Sequence, residues 1–173
     1  MNNTVLTNVF RFLGLLLIQG LVLRRIEFDS GVWSYIHILI YPLFILLLPF
    51  RTPRPLVIFS AFALGMLVDL FYYTPGIHAS AATFLGFVRP LVLSSLEPRG
   101  GYNVNFSPTI TQLDLNWFLK YAAIMLVLHL FFYFSVEAFT FTYIIRISLN
   151  TLVSFVLSYF AVMVYMLVLV PKE

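Results

Sequence analysis

Apolar residues run through this chain in long unbroken stretches, separated by short clusters of Arg, Pro, Gly and Asn. Each stretch holds roughly 18 to 25 residues, enough for a helix to cross about 30 Å of hydrocarbon. Membrane strands would instead give runs of about ten residues with alternating polarity. The pattern predicts spanning helices at about 5–23, 32–50, 56–73, 77–96, 117–134 and 143–170. That is an all-α, polytopic six-helix bundle in one transmembrane domain over 1–173.

Local signals mark the breaks. Arg24 and Arg25 close the first segment. Its charges follow the apolar run and no small-residue cleavage site appears, so it reads as a retained helix and not a signal peptide. Pro42 predicts a kink inside the second segment. Thr74-Pro75-Gly76 makes a tight turn between the third and fourth. The single extended polar stretch, EPRGGYNVNFSPTITQLD, carries the Pro, Gly and Asn of an irregular extramembrane loop at about 97–116. No internal repeat supports an inverted-repeat transporter.

Composition agrees with a lipid solvent. The chain is 61% hydrophobic and 10% charged, against about 25% charged in soluble domains. Its net charge of +3 comes from basic residues scattered at segment ends. They form no stripe, so nucleic acid is not a partner. Cysteine is absent, which excludes disulfides and thiolate sites. Trp33, Tyr35, Tyr72, Tyr73, Trp117 and Tyr121 fall near segment ends, as interfacial aromatics do. With the N-terminus inside, the inner face would hold Arg11, Arg51, Arg54, Arg89, Arg99, Lys120 and Lys172. The outer face would hold Arg24, Arg25 and Arg146. The positive-inside rule therefore places both termini and the 97–116 loop in the cytoplasm of an inner-membrane protein.

Each polar group inside the apolar segments needs a partner, because a charge at mid-bilayer costs at least a few kcal/mol. Asp69 lies about a turn from the end of the third segment and His78 starts the fourth. Two structural readings stay open. The carboxylate either meets the His78 imidazole, or it accepts backbone N–H groups at the start of the fourth helix. Ala61, Gly65 and Asp69 recur every four positions on the third segment, as Ala82, Gly86 and Pro90 do on the fourth. Small residues at this spacing let helices approach closely. They either pack the third and fourth helices together or receive a partner's transmembrane helix. Arg89 is expected to snorkel to the interface, with an acid partner as the alternative. His129 reads as an interhelical hydrogen-bonding group. A Glu137–Arg146 pair flanking 138–142 would be worth little at a surface. The few intramembrane acids and histidines show no ligand-pair spacing, and no nucleophile or phosphate-loop motif is present. No catalytic residue, metal or cofactor is expected.

The stretch GMLVDLFYYTPGIHASAATFLGFVRP, with EAFTF at 137–141, resembles the central signature of the MreD family of rod shape-determining membrane proteins. The PRGGY loop is similar to Bacteroidetes-type members, and the likeness covers essentially the whole chain. Gly65, Asp69, Pro75, Gly76 and His78 match the family's central pattern, while the Tyr72-Tyr73 pair is bulkier than usual. The resemblance implies a fold similar to the substrate-binding subunits of energy-coupling-factor transporters. It implies a non-enzymatic scaffold of the elongation complex that binds the MreC transmembrane helix. Through MreC it would reach the actin-like MreB, a RodA-type glycosyltransferase and a class B transpeptidase. The alternative is a small-molecule carrier subunit, with Trp33, His37, Asp69 and His78 around a polar cavity open to the outside.

Overall fold

The computed structural model describes residues 3–26 and 37–169. All its regular elements are helical: α1 (Asn3–Leu17), α2 (Leu43–Leu47), α3 (Arg54–Tyr72), α4 (Ile77–Ser95), α5 (Leu115–Ala138) and α6 (Ile144–Leu169). Five stretches are long and apolar enough to cross a membrane: Val5–Arg25, Arg54–Tyr72, Ile77–Ser95, Leu115–Ala138 and Ile144–Val168. The chain is a multi-pass helical membrane bundle. Its long helices pack in the order α1, α3, α4, α5, α6, with α3 against α4 the most extensive contact.

The second predicted helix is corrected. Its part at 32–36 lies outside the described residues, and the remainder is not a kinked span. Residues 37–40 have no regular secondary structure, Tyr41-Pro42 turns, and α2 adds five helical residues before Pro49. This strand of chain runs through the middle of the bundle, with Leu39, Tyr41, Leu43, Ile45, Leu46 and Leu47 inaccessible. Pro42 does more than kink a helix here; it sits where the helix begins, so its missing N–H costs nothing.

Non-helical backbone at membrane depth survives only where the protein supplies its hydrogen bonds. The supply comes from both flanks. Gln19 of the first span accepts from the N–H of Ile40 (2.9 Å) and Tyr41 (3.4 Å) and donates to the Ile38 carbonyl (3.1 Å). Ser154 of α6 accepts from the His37 N–H (3.1 Å) and Ser158 from the Leu39 N–H (2.9 Å). Gln19 can face inward because α1 ends in a π turn, Ile18–Val22, which shifts the helix register there. Gly20 in that turn lies under Phe71, whose ring a Cβ would meet at 2.6 Å.

At the end of the bundle that carries the N-terminus, the 97–114 loop is irregular, as its Pro, Gly and Asn content predicts. It is nonetheless pinned to the core. Tyr102 stacks on Phe50 at 4.4 Å and donates to the Leu93 carbonyl at 2.8 Å. Partial burial raises the Tyr102 phenol above its usual range. The Trp117 indole N–H closes the loop onto the Leu96 carbonyl (2.8 Å). Asp114 caps α5 by accepting from the Asn116 N–H (3.1 Å).

Candidate functional site

The α3–α4 corner is built around one carboxylate. α3 stops at Tyr73 in the left-handed conformation (φ 57°), whose N–H bonds the Asp69 carbonyl. Pro75 follows, and Gly76, also left-handed at φ 89°, starts α4. This geometry turns the first N–H groups of α4 back onto α3. Asp69 Oδ1 accepts from the His78 N–H (3.0 Å) and the Thr74 hydroxyl (2.9 Å), and Oδ2 accepts from the Ala79 N–H (2.9 Å). The carboxylate is 5% exposed, yet three donors and the positive end of a helix compensate its charge. Of the two readings open in the sequence, the backbone one describes this contact. The imidazole points elsewhere.

Close approach at this corner depends on small residues. A Cβ on Gly65 would stand 2.5 Å from Ala79 Cα and 2.6 Å from the His78 carbonyl. Two turns along the seam, a Cβ on Gly86 would meet the Ala61 methyl at 3.3 Å. Ala61 and Ala82 are inaccessible in the same seam. Gly65, Ala82 and Gly86 therefore lie between α3 and α4, with no surface left for a partner's helix.

His78 sends its ring into the bundle. Its Nδ1 lies 3.2 Å from the Tyr41 hydroxyl, which lies 2.9 Å from His129 Nε2. All three side chains are inaccessible. One hydroxyl thus joins the central non-helical segment to α4 and α5 together, within hydrogen-bond distance of both imidazoles. Tyr72 packs on the same imidazole at 4.9 Å between ring centres. The Gln19 amide donates to the Tyr72 hydroxyl (2.7 Å), which links this cluster to the first span. Gln19, Tyr41 and Ser158 were missed as site residues in the sequence. The available signals were a lone amide in the first apolar run, and Ser154 and Ser158 one helical turn apart on the sixth.

Arg89 does not snorkel. It is 3% exposed and its guanidinium donates to the Leu48 carbonyl and the Tyr121 hydroxyl. Tyr121 in turn donates to the Leu46 carbonyl (3.3 Å). The cation sits at the carbonyl end of α2, where the helix dipole favours it. Neither an acid nor the interface is its partner; broken backbone is.

Other polar residues lie around this network. His37 Nε2 stands 3.8 Å from Glu137 Oε1. Glu137, Arg146 and Asn150 line a pocket of about 290 Å³ between α5 and α6. Trp33 lies outside the described residues. Of the groups expected around a carrier's cavity, Asp69 is taken up by the first N–H groups of α4, while His37 and His78 both pack on the Tyr133 ring, at 5.7 and 4.9 Å between ring centres. Among the described residues no three His, Asp or Glu side chains converge as a metal site requires. In comparisons with known proteins, no family model, curated protein or solved structure matches this chain.

Proposed function

We propose that this chain is a non-enzymatic scaffold of the MreD type in the cytoplasmic membrane, with both termini and the 97–116 loop in the cytoplasm. It binds the transmembrane helix of an MreC-type protein and so couples an MreB-type filament to a RodA-type glycosyltransferase and a class B transpeptidase. The sequence likeness at Gly65 to Pro90 suggests the family. The structural observation that supports the reading is where the intramembrane polar groups go. Asp69, Gln19, Tyr41, His78, His129 and Arg89 bond the bundle's own backbone or one another. A carrier or a catalyst needs such groups around a substrate; a connector needs them to hold its helices in place.

The seam residues then act on the partner at one remove, by fixing the relative position of α3 and α4. Affinity isolation of the tagged chain from native membranes tests this. The expected result is co-isolation of a single-span MreC-type protein, reduced when Gly65→Leu wedges the seam apart. Saturable vitamin binding, or isolation with an ATPase pair in place of MreC, would overturn it.

A further inference from the structure

A second feature of the bundle takes no part in the clasp. Between α1 and α3 runs an open groove of about 500 Å³, floored by Phe12 and Phe44 and walled by Val9, Leu13 and Leu56. The floor is firm, since the two phenyl rings meet edge to face at 5.2 Å. The walls are half-exposed: Val9 and Leu13 at 47%, Leu56 at 54%. Its mouth, by the turn leading into α3, carries the exposed Arg51. Arg51 makes no ion pair among the described residues.

Three properties define the occupant. The groove is lined almost wholly by hydrocarbon and is open, between two stretches long and apolar enough to cross a membrane. Its length is that of one leaflet: Val5 to Leu13 covers about 12 Å of helix, close to half of an about 30 Å hydrocarbon core. A partner's helix, about 10–12 Å across and needing about 20 residues to span, would find a seat for only half its length. Finally, a guanidinium stands at the polar end, where a phosphate would lie if a chain filled the apolar part. Arginine suits phosphate because its planar fork donates two parallel hydrogen bonds.

We propose that this groove is a binding site for one anionic phospholipid of the leaflet on the N-terminal side. An acyl chain lies over Phe12 and Phe44, and the phosphate pairs with Arg51.

Native mass spectrometry of the purified chain, titrated with dioleoyl-phosphatidylglycerol or dioleoyl-phosphatidylcholine at equal concentration, tests it. The wild type is expected to retain one phosphatidylglycerol at least five-fold better than phosphatidylcholine. Arg51→Gln should bring the two to the same level. Leu13→Trp, and separately Leu56→Trp, should fill the apolar part and reduce retention of both lipids, with thermal unfolding checked to show that each variant folds. Equal retention of the two lipids by the wild type would overturn the proposal. So would tryptophan variants that fold and keep phosphatidylglycerol as well as the wild type. A dimer that dissociates on Leu13→Trp would assign the groove to a second copy and overturn it too.

Discussion

Asp69 meets His78 through the main chain: the carboxylate takes the backbone N–H at 3.0 Å, while the imidazole turns away to Tyr41. One residue thereby serves two joints. Its backbone ties α4 to α3, and its side chain ties α4 to the non-helical segment at the centre of the bundle.

Asp69→Asn tests the first joint. The amide keeps one acceptor oxygen but turns an NH2 toward a backbone N–H, so at least one buried donor at Thr74, His78 or Ala79 is left unpaired. A buried unsatisfied group costs about 1–3 kcal/mol, and bonds to a charged group sit at the upper end. The variant should therefore unfold at a lower temperature and show faster amide exchange at His78 and Ala79. Unchanged exchange there would mean that the carboxylate does not hold the corner.

The two seam glycines should differ sharply. On Gly65, a methyl would run into backbone atoms of Ala79 and His78 at 2.5–2.6 Å, and backbone cannot give way cheaply. Gly65→Ala should cost about 1–3 kcal/mol or more through overpacking. Gly86→Ala meets the Ala61 methyl at 3.3 Å and backbone atoms of Ile58 and Val57 at an ordinary 3.5 Å, and gains up to about 1 kcal/mol of helix propensity. It should stay within about 1 kcal/mol of the wild type. Equal effects in thermal unfolding would show that the seam is less tight at Gly65 than the geometry states.

Gln19→Leu removes the amide that serves Ile38, Ile40 and Tyr41. Because lipid offers these backbone groups no other partner, the non-helical segment should loosen before the long helices do. Hydrogen exchange should accelerate at Ile40 and Tyr41 and stay near wild-type rates in the middle of α5. Uniform acceleration would indicate global destabilisation, and no change would leave Gln19 without the role given to it.

Tyr41→Phe keeps the ring and removes the oxygen shared by His78 and His129. Two buried imidazoles each lose a partner, at about 1–3 kcal/mol for each group left unsatisfied. Nitrogen-15 chemical shifts of both histidines should move together in this variant. A shift in only one of them would show that the hydroxyl serves a single imidazole.

What the sequence made legible follows from period and cost. Long apolar runs are decisive for spanning helices because nothing but length and hydrophobicity is required of them. Four of the six predicted segments recur as long α-helices within a few residues, and the first also crosses, though its end unwinds through Ile18–Val22. Asp69 was legible as a structural group for a similar reason, since an acid in an apolar run must find donors. The segment at 37–50 was not legible as broken. Its hydropathy is that of a span, and its true conformation is set by hydrogen bonds from Gln19, Ser154 and Ser158, which come from up to 121 residues away. Arg89 was misread on the same ground. A cation near a segment end is expected to reach water, and the Leu48 carbonyl, where that broken segment ends, gives it a buried partner beside the Tyr121 hydroxyl.

The central claim is that the chain works as a connector in cell elongation, and depletion in its own cell tests this most directly. Cells shut off for its synthesis should lose their rod shape and become round while they continue to grow, with shape restored by the wild-type chain. Rods that keep their width and length after the protein has gone would contradict the account.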